Sequence, residues 1–343
     1  MKRAGNLIDK ISEIDNLYLA FYKAAKHKRA KIEVREYEQT LDHNLKILQQ
    51  QLLSENVEIG NYHYFKINDP KERTICAASF PERVLHHAIM NICHPVFERQ
   101  LIHHTYATRP GKGTYAALDK AKVYVKKFSW FAKLDVKKYF DSISHIVLKQ
   151  KLLRIFKDEK LIKIFDSIIA SYQSSPSRGI PIGNLTSQYF ANFYLSAADH
   201  YAIEELKIPG YIRYMDDILL FDNDKSKLKN CLNEFNTFVE SKLGLSFKPA
   251  VLNNKRYGVS FLGYRILPAL VKLNKNSKRR FCKKIANYRK LLNNGIWSQS
   301  EYSRHILPLL SFTEYAESRA LRRNYFYKEK VSSRGFEPCV ARW

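Results

Sequence analysis

Two adjacent aspartates, Asp216 and Asp217, interrupt the β-forming run Tyr211-Ile-Arg-Tyr-Met-Asp-Asp-Ile-Leu-Leu-Phe221. Aspartate is depleted in strands, and neighbouring buried carboxylates repel one another unless a cation lies between them. The run therefore reads as a tight hairpin with its acids at the tip. Hard carboxylate oxygens there suit a divalent cation such as magnesium. A hairpin whose acids simply face water is the alternative.

A second acid in similar surroundings lies far upstream. In Trp130-Phe-Ala-Lys-Leu-Asp-Val136, Asp135 ends a short apolar strand. One acid at a strand end and a pair on a neighbouring hairpin can converge on two metal ions, an arrangement that serves in-line phosphoryl transfer. The chain has neither a GxxxxGK[ST] loop nor a GxGxxG turn, which excludes the P-loop and Rossmann modes of holding a nucleotide.

Charge points to a polyanionic partner. The 343 residues carry 58 Lys and Arg against 33 Asp and Glu, a formal charge of +25, which bears on binding rather than on fold. The excess is strong from Lys272 to Trp343, with 17 basic residues against 5 acidic ones. Aromatic residues are interleaved there, including Phe281, Tyr288, Trp297, Tyr302 and Tyr325. They suit stacking on nucleic acid or, equally, the core of a helical surface. A further basic run, Lys23 to Arg35, reads as an RNA contact or as a helix end.

A hydrophobic content of 45% supports a substantial core. No apolar run approaches the length of a membrane span, and the N-terminus does not read as a signal peptide. The odd cysteine count, 5 without CxxC spacing, indicates reduced thiols in a reducing, cytoplasmic setting. The pairs His86-His87 and His103-His104 lack zinc spacing and read as satisfied structural histidines.

Apolar periodicity predicts helices around 7–21 and 41–52, and strands over 62–67 and 74–78 joined by a turn at 69–73. Ser79 and Glu82 suggest a capping box for a helix running toward Pro95. Further helices are expected after the loop 111–113, from about Ser144, over 186–206 and over 228–243. Residues 261–266 read as one strand before the basic tail. The order is that of an α+β chain.

Four motifs in this order resemble those of reverse transcriptases. Asp135 matches the first palm aspartate, and Tyr214-Met-Asp-Asp217 the second palm motif. Thr105-Tyr-Ala-Thr-Arg-Pro-Gly-Lys-Gly113 resembles the Tyr-x-x-Arg-Pro-Gly segment, and Phe261-Leu-Gly-Tyr264 the primer grip. The resemblance implies a right-hand polymerase, with fingers over 1–130, palm with residual finger elements over 131–266, and a basic helical thumb and tail over 267–343. It implies two Mg2+ ions, replaceable by Mn2+, and binding of an RNA template, a DNA or RNA primer and deoxynucleoside triphosphates. Asp135 and Asp216 become the ligands, joined by the Val136 carbonyl, with Asp217 in support.

Other roles follow from the same likeness. Lys71 and Arg73 on the finger turn grip the triphosphate, or form surface salt bridges. Arg109 contacts triphosphate or template, or stabilises its loop. Phe140 blocks a ribose 2′-hydroxyl, or is a core aromatic. Tyr214 and Met215 support the primer end or the hairpin, with Phe261, Leu262 and Gly263 in the grip. The family often places a lysine near the position of Pro249; here Lys248 stands one residue early.

The segment Ile180-Pro-Ile-Gly-Asn-Leu-Thr-Ser-Gln188 narrows the likeness. Most bacterial members carry Gln-Gly and then Ser-Pro here; Ile182 and Gln188 instead resemble the enzymes of diversity-generating retroelements. Those copy a template-repeat RNA with errors at adenine and work with a small basic accessory protein. Losing an orienting hydrogen bond at position 182 should cost about 1–3 kcal/mol of discrimination. The alternatives are neutral packing choices in a more faithful retron-, group II intron- or phage-defence-type enzyme, although no endonuclease or maturase segment is visible after residue 266.

Overall fold

The computed structural model describes residues 2–68 and 72–326. The chain divides into two compact units. The first comprises the chain up to Ala117 together with Ala132–Leu252, and the second comprises Leu118–Phe131 together with the chain from Asn253 onward.

In the first unit, the helices Ile8–Ser12, Ile14–Ala25, Ile32–Gln39 and Leu41–Ser54 precede a two-stranded hairpin. Helix Ile14–Ala25 buries Leu17, Ala20, Phe21 and Ala24, which recur at helical spacing. It packs on helix Phe80–Glu98, where Phe21 meets Phe80 edge-on at 6.0 Å. The hairpin pairs β1 (Tyr62–Asn68) with β2 (Glu72–Ala78), Tyr62 opposite Ala78. The turn residue Lys71 lies outside the described residues.

The capping box expected at Ser79 does not form. Ser79 makes no side-chain cap, and Glu82 instead accepts the Gly60 amide at 3.1 Å. The helix also continues through Pro95 to Glu98. Nor is His86 satisfied: buried within helix Phe80–Glu98, it has no hydrogen-bond partner on either ring nitrogen.

A four-stranded sheet follows, built of β3 (Trp130–Asp135), β4 (Gly210–Tyr214), β5 (Asp217–Asp222) and β6 (Val251–Asn254) in the order β4-β5-β3-β6. β3 and β5 are neighbours in this order, and Lys133 near the end of β3 meets Asp217 at the start of β5. The residues of β4 and β5 are almost all buried. A cluster of Phe97, Phe156, Phe165, Phe190 and Phe193 ties helices of this unit together, with centroid separations of 5.3–6.4 Å. The single helix expected over 186–206 is three pieces: Leu185–Tyr194, Ser196–His200 and a π-type turn Tyr201–Glu205. The Leu206 amide there bonds the Tyr201 carbonyl five residues back, the signature of a π-bulge.

The second unit carries a meander of β7 (Val259–Phe261), β8 (Tyr264–Ile266) and β9 (Val271–Leu273). Residues 261–266 are thus a hairpin rather than one strand. Leu262 and Gly263 both take positive φ, 47° and 90°, as a two-residue turn of the primed type requires. Three helices follow: Lys275–Asn293, Gln299–Glu314 and Arg319–Phe326. Phe281, Ile285 and Ile306 form their core, and Ser298 with Glu301 makes a reciprocal capping box. Among the described residues, no helix is long and apolar enough to cross a membrane.

Candidate active site

The β4–β5 hairpin closes with Tyr214 paired to Asp217, leaving Met215 and Asp216 as its two-residue tip. Met215 takes a positive φ of 55°. Arg213, with no exposed surface, holds this tip from beneath. Its guanidinium donates to Asp199 Oδ1 and Oδ2 at 2.6 Å each, to the Asn192 side chain at 2.8 Å and carbonyl at 3.0 Å, and to the Met215 carbonyl at 3.1 Å. Tyr211 also donates to Asp199, at 2.6 Å. A planar fork with every donor occupied is a rigid mount for a turn.

Asp135 is brought to the same place by strand order and by a local pairing. Val136 bridges Phe247, the Lys137 amide bonds the Ser246 carbonyl, and the Lys248 amide bonds the Asp135 carbonyl at 2.9 Å. This register delivers the Lys248 ammonium onto Asp135 Oδ1. A second lysine, Lys133 on β3, stands 3.2 Å from Asp217 Oδ1. That oxygen is buried and has no aligned hydrogen bond, so the contact is ionic rather than directional. Burial pushes the Asp216 carboxyl up to about 6, and the charges of Asp217 and Asp135 add to the effect while Lys248 opposes it. The three acids therefore share one electrostatic environment.

The donor set suits a hard divalent cation: it consists of three partly exposed carboxylates, one of which has a buried oxygen without a hydrogen bond. As they stand, no three His, Cys, Asp or Glu side chains among the described residues form a group able to hold a metal, and Lys248 occupies Asp135.

Around this centre, Tyr139 is buried and donates to the Ala191 carbonyl. Phe140 is half-buried against it, edge-on at 5.8 Å. The Phe140 carbonyl accepts the Ile180 amide, and the Ile182 carbonyl accepts the Cys76 amide at 2.8 Å, so the 180–184 loop lies along β2. Gly183 is required there: at φ 124° a Cβ would fall 2.9 Å from Ile75 and 3.1 Å from the Cys76 carbonyl. Gln188 is half-buried on helix Leu185–Tyr194. The Tyr214 hydroxyl accepts a hydrogen bond from Thr114 at 3.2 Å.

Arg73 is exposed on β2 opposite Ile67. Arg109 is committed elsewhere. It binds Glu98 through Nε and Nη2 at 2.5–3.1 Å, and Nη1 donates to the Ile102 carbonyl and to Thr105. These contacts brace its loop, the structural one of the two roles expected of it. Phe261, Leu262 and Gly263 belong to the second unit, where a Cβ on Gly263 would meet Phe312 and Ser277 at 3.0 Å.

Sequence reasoning passed over Lys133, Asn192, Asp199 and Arg213, and it assigned no role to Lys248, which stands one residue before the family's lysine position. The available signal was Arg213 itself, because a cation inside a buried strand demands a buried counter-ion.

The family model for reverse transcriptase (RNA-dependent DNA polymerase) matches residues 66–266, more than half of the chain. The COX1/OXI3 intron 2 protein of Saccharomyces cerevisiae is 22% identical over 75% of this chain and 38% of its own length. The group II intron-encoded protein LtrA of Lactococcus lactis is 26% identical over 40% of this chain and 24% of its own. The chain thus spans well under half the length of these relatives. A solved structure of Candida tropicalis telomerase with a telomeric RNA fragment aligns over 84% of this chain and 58% of that one, at 14% identity and a TM-score of 0.48.

Proposed function

The chain belongs to the reverse transcriptase (RNA-dependent DNA polymerase) family, and from that premise we propose that it copies RNA into DNA at Asp135, Asp216 and Asp217. The observation that carries this reading is the convergence of Asp135 with the Asp216–Asp217 hairpin at one end of two neighbouring strands. Members of the family use divalent metal ions. Bound there, such ions would activate a primer 3′-hydroxyl and neutralise the departing pyrophosphate. Asp135 and Asp216, with the Val136 carbonyl, would hold them, Mg2+ being the hard cation of choice and Mn2+ its substitute. Arg213 keeps Asp216 at the tip, and Phe140 with the 180–184 loop bounds the nucleotide's sugar. Arg73, with Lys71, would receive the triphosphate.

The expected partners are an RNA template, a primer and deoxynucleoside triphosphates. In this reading, residues 1–130 act as fingers, 131–266 as palm and 267–343 as a basic thumb, in a cytoplasmic enzyme. Ile182 and Gln188 support a diversity-generating type, which copies a template-repeat RNA with adenine errors beside a small basic accessory protein. The intron-encoded relatives favour a second reading, a more faithful group II intron-type enzyme. Sequencing cDNA made from a mixed-sequence RNA template decides between them. Errors concentrated opposite template adenines, reduced in Ile182→Gln, establish the first. Low, even error establishes the second, and absence of cDNA rejects both.

A further inference from the structure

The three acids of the site are not held alike. Asp216 enters no ion pair among the described residues. Asp135 is paired with Lys248, an ammonium borne by a segment outside the strands, and both side chains are more than a third exposed. Asp217 is paired with Lys133, and those side chains are only 25% and 28% exposed. Lys133 lies two residues before Asp135 on β3, hence on the same face of that strand. β3 is hydrogen-bonded to β5, which Asp217 begins. One lysine is therefore mounted on a connection outside the strands and the other on the sheet itself.

The consequence lies in the oxygens. Lys133 faces Asp217 Oδ1, which is buried and makes no hydrogen bond, so its ammonium competes with a cation for that oxygen. We propose that Lys133 is a positioning residue: it ties back Asp217, limits it to one-oxygen support, and so sets how tightly the site holds a divalent cation. This rests on the reading above that the acids bind metal. Removing the ammonium frees both Asp217 oxygens, which tightens cation binding while loosening the geometry that reaction requires.

The test is direct Mn2+ titration of the purified chain at fixed pH, reading free Mn2+ by paramagnetic resonance, alongside steady-state incorporation on an RNA template. Lys133→Met should bind Mn2+ roughly tenfold more tightly, because the second Asp217 oxygen becomes available to the cation. Its kcat at saturating metal should fall, with the KM for nucleotide changed less than twofold, and Lys133→Arg should restore both. In an Asp217→Asn background, Lys133→Met should give no further tightening. Should Lys133→Met fail to fold, Lys133→Gln carries the same comparison. An unmoved Mn2+ midpoint overturns the inference. So does an equal tightening in the Asp217→Asn background, which would make the lysine a diffuse charge rather than a tether. A wild type that binds no Mn2+ overturns the metal reading beneath it as well, whereas wild-type binding with an unmoved variant overturns this inference alone.

Discussion

Arg213 and Asp199 are the most consequential pair of single residues in the first unit, both with no exposed surface. Breaking a buried ion pair from one side strands the other charge, so Arg213→Met should lower stability by about 3–5 kcal/mol, read as a shift in urea unfolding. An unchanged midpoint would mean that Asp199 finds another partner. The acids themselves were legible because two of them are adjacent and the third ends an apolar strand. Their supports were not. Asp199 sits on a helix apart from its arginine's strand, and Lys248 reaches Asp135 only through the pairing of 135–137 with 246–248. No pattern in the chain announces either partnership.

Elements show the same division between local and distant signals. The helices Ile14–Ala25 and Leu41–Ser54 and the hairpin of β1 and β2 follow from periodicity, which is local, whereas the break after Ser12 and the helix Ile32–Gln39 were not read from it. The cap at Ser79 failed because Glu82 found a better acceptor's role at Gly60, a contact between segments. Burial pushes the Glu82 carboxyl up to about 7, above its ordinary value of 4.5. A raised carboxylate pKa means that the folded state holds the extra proton, so this stability is present below about 4.5 and lost as pH rises through 7. Glu82→Gln keeps the Gly60 bond without the charge. It should therefore be more stable than wild type at pH 8, by up to roughly 3 kcal/mol, with the gap closing near pH 5. Thermal melts across that range check it; a constant gap would contradict it. The β7–β8 turn was read as strand because Leu262 and Gly263 sit among β-formers. Gly263→Ala, forced to φ 90° against Phe312, should destabilise by more than about 1 kcal/mol, measurable by hydrogen exchange within the β7–β9 meander.

At the scale of the molecule, the charge of +25 is unevenly spent. Helix Lys275–Asn293 alone carries eight Lys and Arg and no acid, more cationic surface than its small core of Phe281 and Ile285 needs. If it tracks a nucleic-acid backbone, replacing the exposed Lys283 and Lys290 with alanine should lower the salt dependence of binding by about one counterion per lost contact. Fluorescence anisotropy of an RNA–DNA duplex across salt concentrations measures this, and an unaltered slope would place the backbone elsewhere. The α+β order and the motif order were readable along the chain. The compact units were not, because Leu118–Phe131 groups with residues from Asn253 onward, a partition made by contacts rather than by sequence.

The most direct test of the polymerase reading is single-deoxynucleotide addition to a primer annealed on RNA, with Mg2+, by wild type, Asp135→Asn and Asp216→Asn. The site described above predicts extension by the wild type and background signal from both variants, each still folded by circular dichroism. Extension by Asp216→Asn at the wild-type rate would contradict it.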